Sequence, residues 1–419
     1  MKIHLIGIGG IGVSALAQYY LSKNHQVSGS DLAASEITEM LEAKGVKVII
    51  GNSAENISDD INLVVHSPAV KESNLELAQA KEFGIKCMSY PEALGELTKE
   101  YFTIAVAGAH GKSTTTAMMA LALTKAGFDP TVIVGTRVKE FSAQGGPASG
   151  WGSNFRAGSS KYLVIEACEY DSSFLYYSPK IIVVTNIDKE HLDYFKTFAN
   201  VKKAFKDFIM RLPKDGFLVY DKNPSTKSKE AKNIKKILKV PGDHNVFNAL
   251  NVLSVCRYLG IDDNVIYSSL AEFSGTWRRF EIIKIKPFII ISDYAHHPNE
   301  IMATLKAVRE KYKKNKIWCI FQPHQHQRTY YLFKDFVKVF KSVKINNIII
   351  TDIYDVAGRE VQKINRNVSS EKIVKKINKK SVKYFPIDQA EKYIKENIKR
   401  GEVLVVMGAG DIYRLIEKF

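Results

Sequence analysis

The sequence predicts an α/β protein of three domains with mainly parallel sheets, and three observations carry that expectation. Its 419 residues exceed the ~250–300 at which a single hydrophobic core stops growing. Short β-branched runs alternate with helix-length segments from KIHLIGI at the N-terminus, through FTIAVAG, YLVIEA and IIVVTNI, to FIIISDY, IWCIFQP and VLVVMGAG. Continuous apolar strands of this kind belong to parallel sheets covered on both faces. Glycines close three of the strands, at Gly7, Gly108 and Gly408, as in nucleotide-type α/β units. Boundaries fall after the helix PEALGELTKE and at the turn FSGTWRRF, giving domains over residues 1–98, 99–274 and 275–419.

Composition excludes several classes. Hydrophobic residues at 45% and charged residues at 25% describe an ordinary globular chain, neither disordered nor fibrous. No apolar run approaches the ~20 residues of a membrane span, so no membrane insertion is expected. The opening MKIHLIGIGGIG is broken by glycines and reads as a strand and tight turn, not a signal peptide. Cys87, Cys168, Cys256 and Cys319 lie far apart with no CxxC pair, so neither zinc site nor disulfide framework is indicated and a reducing cytoplasm fits. The net charge is +16, but residues 1–100 carry 8 Lys and Arg against 13 Asp and Glu, and residues 301–400 carry 24 against 9. The excess lies in stretches such as KIVKKINKKSVK, which read as solvated helix faces. No nucleic-acid motif accompanies them, and no nucleic-acid partner is expected. SAQGGPASGWGS (142–153) reads as a mobile lid or substrate loop.

Strand KIHLIGI leads into Gly7-Ile8-Gly9-Gly10-Ile11-Gly12 and a helix, and the next strand ends at Asp31. This Rossmann-like fingerprint lets a diphosphate approach a helix N-terminus and an acid reach a ribose. By itself it leaves NAD, a UDP-type ligand and a structural turn open. Strand FTIAVAG runs into Gly108-Ala109-His110-Gly111-Lys112-Ser113-Thr114 and a second helix. Backbone amides there can wrap phosphates, Lys112 can neutralise them, and Ser113 can ligate Mg²⁺. Val106 stands where the standard P-loop has its first glycine. Glu166 and His191, read as ending adjacent strands, are candidate divalent-ion ligands. Asn245 and Asn248, one turn apart, could bond a purine, although helix capping also explains Asn245.

These segments, taken with GTWRRFE, SDYAHHPNEI, FQPHQHQRT and MGAGDI, resemble the Mur ligases, ATP-dependent amide-bond-forming enzymes of peptidoglycan synthesis. The resemblance covers essentially the whole chain in order and points to the alanine-adding branch. It implies a UDP-substrate domain, a central P-loop ATPase and a Rossmann-like C-terminal domain that brings in the amino acid. The implied reaction passes the ATP γ-phosphoryl group to the lactyl carboxylate of UDP-N-acetylmuramate, and the amine of L-alanine attacks the acyl phosphate. By the same resemblance Gly9, Gly10, Ile11, Gly12, Asp31 and Ser67 bind the UDP substrate, which displaces NAD. Gly108 to Thr114, Asn245, Asn248 and Arg279 bind ATP. Ser113 and Glu166 hold Mg²⁺, and His191 a second ion. Lys112, Glu166, His191, Arg279, Asp293 and Arg328 are catalytic, and Tyr294, His296, His324 and Arg328 line the amino-acid pocket. A monomer or weak homodimer is expected.

The chain departs from the family pattern in places. Gln325 stands where an arginine usually follows FQPH, which throws the alanine carboxylate onto Arg328. Cys168 replaces an acid, Ala295 replaces a glycine, and the stretch from His191 to Pro241 is short. No counterpart to the carbamylated lysine of some relatives is identified. A ligase joining a whole peptide to UDP-N-acetylmuramate shares the same loops. A silent UDP-sugar sensor would not need Lys112, Ser113, Glu166 and His191 together.

Overall fold

The computed structural model describes residues 1–141, 152–221, 225–284, 286–355 and 367–419. Most of the glycine-rich stretch expected to be a lid, residues 142–151, lies outside the described residues. The chain divides into two compact units. One comprises Met1–Asp188, Ala199–Pro224 and Asn248–Ala271, the other Lys189–Phe198, Ser225–Phe247 and Glu272–Phe419.

The first unit holds two sheets. Strands β1 (Lys2–Ile6), β2 (Gln26–Asp31), β3 (Lys47–Ile50), β4 (Leu63–His66) and β5 (Lys86–Ser89) form a parallel sheet in the order β3-β2-β1-β4-β5. The order reverses between β1 and β4, the place where open α/β sheets bind ligands beyond their strand ends. The second sheet comprises β6 (Phe102–Ala107), β7 (Thr131–Val138), β8 (Ser153–Arg156), β9 (Tyr162–Glu166), β10 (Ile181–Val184) and β11 (Phe217–Val219). Its order is β11-β10-β6-β9-β7-β8, and only β8 runs antiparallel, to β7. The expectation that Glu166 and His191 end adjacent strands is incorrect. β6, the strand of the Lys112 loop, lies between β9 and β10, because a sheet wound outward in both directions separates strands that follow each other in the chain.

The second unit has one sheet of β12 (Glu281–Lys284), β13 (Ile289–Asp293), β14 (Ile317–Phe321), β15 (Asn347–Ile350), β16 (Val382–Tyr384) and β17 (Val403–Met407), in the order β12-β13-β17-β14-β15-β16 with β12 antiparallel. Its central strand shows why the apolar runs are continuous. Val403, Val405 and Met407 pack on one face with Leu305, Phe336, Phe340 and Ile373. Leu404 and Val406 pack on the other with Ala390, Ile394 and Leu415. Side chains alternate between faces, and both faces are covered by helices. All four cysteines are free thiols. Among the described residues no helix is long and apolar enough to cross a membrane.

Candidate active site

The first glycine loop sits at the reversal of the N-terminal sheet. The amides of Gly7 and Ile8 both donate to the Ser30 carbonyl at the end of β2 (2.8 and 3.0 Å). Gly9 N–H donates to Asp31 Oδ2 (2.8 Å), and Leu32 N–H to Asp31 Oδ1 (2.8 Å). Gly10 N–H turns back to the Gly7 carbonyl (3.1 Å). The amides of Gly9 and Gly10 therefore shape the loop. Those of Ile11, Gly12 and Val13, in the first turn of the helix Ile11–Ser22, have no carbonyl four residues back within the helix and can face an anion. Val13 was not among the expected binding residues. Ser67 follows β4, its amide bonded to the Ile6 carbonyl (2.9 Å), so Gly9 to Gly12, Asp31 and Ser67 gather at the carboxyl ends of the neighbouring strands β2, β1 and β4.

The second loop is built the same way. Gly111 caps the helix Lys112–Lys125 in the left-handed region (φ 82°), a conformation that glycine adopts without a steric penalty. Asn186, just past β10, accepts from Ala109 N–H through its carbonyl (3.1 Å) and from His110 N–H through its side chain (3.0 Å). It also donates to the His110 carbonyl (2.8 Å). The amides at the start of this helix, through the buried residues Ser113 and Thr114, have no carbonyl four residues back within the helix and can face an anion. Lys112 folds over its own loop and donates to the carbonyls of Gly108 (2.5 Å) and Ala109 (3.3 Å) and to Glu169 Oε2 (2.8 Å). Burial works against its ammonium, but the carboxylates of Glu169, first, and Glu166 outweigh it and hold the pKa above the ordinary lysine value. Burial pushes the Cys168 thiol up to about 12, so it is not a thiolate at neutral pH.

Glu169, 1% exposed at its side chain, was missed from sequence. EACEYD offers two glutamates, and spacing does not say which one meets the lysine. Glu166 ends β9 in register with Val106 and accepts from Gly135 N–H (2.8 Å). A Cβ on Gly135 would fall 2.7 Å from that carboxylate oxygen, so any other residue there would make the carboxylate shift. Asn248 is buried and lies against Gly111, whose added Cβ would meet its Oδ1 at 2.5 Å.

His191 belongs to the second unit, in the left-handed region (φ 53°, ψ 38°) before the short helix Leu192–Phe195. Asn245, in the same unit, donates its side-chain amide to the Pro241 carbonyl (2.7 Å). The residues expected around the amino acid do gather there. Tyr294 and His296 rings meet edge-on at 5.4 Å, His296 and His324 at 5.9 Å. Arg328 Nη1 lies 3.1 Å from His324 Nδ1, and its Nε lies 3.5 Å from Glu190 Oε2.

Glu190 was the residue overlooked beside the more conspicuous His191. It is 4% exposed and faces His296 Nε2 at 3.9 Å. Burial would raise its pKa, but Arg328 first, then the surrounding histidines, hold it well below the carboxylate range. Burial lowers His296 to about 4, so that ring is neutral at pH 7. Arg279 lies over the Tyr294 ring (4.8 Å) and 3.7 Å from Glu300. Asp293 accepts from Phe280 N–H (2.8 Å), Ala295 N–H (2.9 Å) and Thr304 Oγ1 (3.2 Å). These bonds make it a holder of the strand end. Arg278 is buried, and it donates to the carbonyls of Gly408 and Gly410.

Against family models, the Mur ligase family catalytic domain matches residues 2–102, the Mur ligase middle domain 106–240, and the Mur ligase glutamate ligase domain 278–410. A UDP-N-acetylmuramate–L-alanine ligase of Acetivibrio thermocellus is 40% identical over 461 positions, covering 100% of this chain and 95% of its own. One of Clostridium botulinum is 40% identical, covering 100% and 97%. These alignments are longer than the 419 residues here, so the relatives carry segments that this chain lacks. The structure of a UDP-N-acetylmuramate–alanine ligase from Thermotoga maritima matches with a TM-score of 0.80 at 27% identity, covering 100% of this chain and 98% of that one. A murein peptide ligase from Psychrobacter arcticus, at 21% identity and a TM-score of 0.70, shares the fold. By full-length sequence identity, by all three family models and by fold, the chain belongs to the Mur ligase family.

Proposed function

We propose that the chain joins L-alanine to the lactyl carboxylate of UDP-N-acetylmuramate, driven by ATP through an acyl phosphate, in cytoplasmic peptidoglycan precursor synthesis. The observation that carries this reading is the pair of amide-lined helix starts, one capped by Lys112, in a chain that aligns end to end with relatives named for that reaction. Functional domains are assigned to residues 1–98, 99–274 and 275–419, one sheet to each.

The amides of Ile11, Gly12 and Val13 take the UDP diphosphate, with Asp31 and Ser67 shaping the loop. The amides of Gly111 to Thr114 take the ATP phosphates. Lys112 supplies the charge that moves with the transferring phosphoryl group, and Glu169 keeps that ammonium protonated and aimed. Asn245, Asn248 and Arg279 are assigned to the nucleotide.

The Ser113 hydroxyl and the Glu166 carboxylate, hard oxygen donors at the ends of one sheet, suit Mg²⁺, and His191 is the candidate ligand of a second ion. Bound Mg²⁺ supplies neutralisation of phosphate charge. Tyr294, His296, His324 and Arg328 receive the amino acid, whose neutral amine forms the amide as phosphate leaves. The test is ATP-dependent phosphate release with UDP-N-acetylmuramate and, in turn, L-alanine, glycine, L-serine and a murein peptide. Release with alanine supports the reading. Release with the peptide alone replaces it with peptide ligation, and release with no acceptor overturns it.

A further inference from the structure

Strands β7 and β8 are paired irregularly. Ile133 stands opposite Phe155 and Val138 opposite Ser153, so four residues of β7, Val134 to Arg137, face the single residue Asn154. A bulge of this kind turns backbone and side-chain groups away from the ladder, and here they are turned toward the two loops described above, all within the first compact unit.

On one side Gly135 N–H holds Glu166 Oε2 at 2.8 Å. On the other, Asn154 donates its side-chain amide to the Ile11 carbonyl and to Ser14 Oγ (2.9 Å), and its Oδ1 accepts from Gln18 Nε2 (2.8 Å). Gln18 Oε1 in turn accepts from Ser153 Oγ (2.8 Å) and Lys44 Nζ (2.5 Å). Ser14, Gln18, Ser153 and Asn154 are all buried. From within the same bulge Arg137 pairs with Glu36 (2.6 Å), in the helix that follows Asp31.

A buried side-chain network whose donors and acceptors are matched rigidifies the elements it joins. This one joins the start of the UDP-loop helix to the strand pair that fixes the carboxylate beside the ATP loop. In-line transfer to a carboxylate carried by the UDP substrate depends on the spacing of those loops, and a ~1 Å misplacement costs ~10²-fold in rate.

We propose that the bulged hairpin registers the two phosphate-binding loops, and that Asn154 is a positioning residue for the UDP-linked substrate. The proposal rests on the assignment of the glycine loop to UDP-N-acetylmuramate. It is tested by calorimetric titration of the full chain with UDP-N-acetylmuramate and with a non-hydrolysable ATP analogue, beside thermal unfolding. Wild type is expected to bind both. Asn154→Ala, which strips a donor from the Ile11 carbonyl and from Ser14, should weaken UDP-N-acetylmuramate by about tenfold, the loss of one buried hydrogen-bonding group, with the ATP analogue within about twofold.

Should Asn154→Ala not fold, Ser14→Ala carries the same expectation in a milder form, since it keeps the Asn154 acceptor for Gln18 and removes one of the two bonds by which Asn154 holds the helix start. A folded variant with a lowered melting temperature and unchanged UDP-N-acetylmuramate affinity overturns the positioning role. Equal weakening of both ligands also overturns it. Wild type that binds no UDP-N-acetylmuramate overturns the substrate reading itself, a result recognisable before any variant is made.

Discussion

Replacing Arg328 by alanine removes the one guanidinium within 4 Å of Glu190 among the described residues and leaves that carboxylate buried. His296, 3.9 Å away, is neutral at pH 7 because burial lowers it to about 4, so it does not replace the lost charge. At 3.5 Å and an effective dielectric of ~20, the pair is worth roughly 5 kcal/mol of Coulomb energy before desolvation. Breaking a buried pair by deleting one partner costs ~3–5 kcal/mol, or roughly 10 °C in the melting of a unit this size.

The pH dependence gives the sharper test. With Arg328 present, Glu190 has a folded pKa below its unfolded value, so its contribution is present at neutral pH and lost as pH falls through the acid range. Without Arg328 the largest of the charges opposing burial is gone and only the neighbouring histidines are left against it, so the folded pKa should rise to or above the unfolded one. The variant should then regain stability on acidification from pH 7 toward 5, where wild type does not. Arg328→Ala should also raise the alanine KM while leaving that for ATP almost unchanged, and Arg328→Lys should rescue only in part, because a point charge lacks the planar fork. Adding Glu190→Gln to Arg328→Ala should restore most of the melting temperature but not the alanine KM. An Arg328→Ala protein that melts like wild type at every pH refutes the pairing.

Lys112→Ala should lower phosphate release by at least ~10²–10³-fold while UDP-N-acetylmuramate still binds, as read by turnover and calorimetry on the same preparation. His191→Ala should raise the Mg²⁺ concentration needed for half-maximal activity, and an unchanged requirement would make the residue structural. His4 is fully buried in β1 beside Ser28 Oγ (2.9 Å), and burial lowers its pKa to about 4. Because the unfolded chain binds the proton first, stability should fall between pH 6.5 and about 4, by up to about 3 kcal/mol. That acid limb should flatten in His4→Gln, as followed by thermal melts across the range.

The strands that the sequence revealed and those it hid differ in one physical respect. The central strands are buried on both faces and read as continuous apolar runs. All six edges, β3, β5, β8, β11, β12 and β16, are missed: a solvated edge needs no such run, and KVII, KCMS and VKY are short or partly polar, while β8 is buried but reads SNFR, with one apolar residue. β7 escaped because Gly135 and the bulge interrupt its pattern. Site residues inside contiguous motifs, such as Lys112, Ser113 and Arg328, were legible. Asn154, bonded to Ser14 across 140 positions, carries no local signal at all. Glu169 and Glu190 sat inside recognised motifs, but choosing them over Glu166 and His191 required knowing which cation each one meets.

The identity of the first ligand was the question the glycine fingerprint left open, and the loop's construction bears on it. In a dinucleotide site the acid closing the second strand is kept for ribose hydroxyls. Here Asp31 spends both oxygens on the backbone, with Gly9 N–H on one and Leu32 N–H on the other. Asn186 does the corresponding work for the second loop, taking up the amides of Ala109 and His110. In each case a polar residue at or just beyond the end of a neighbouring strand consumes amides that would otherwise compete for the ligand and leaves the first turn of the helix to face an anion. An acid committed in this way is first a loop-shaping group, and only its remaining lone pairs are left for a ligand hydroxyl. The two loops are therefore variants of one anion-binding device, set in one compact unit, and a reaction that draws together a nucleotide-linked acid and a nucleoside triphosphate uses both at once, whereas hydride transfer would use only the first.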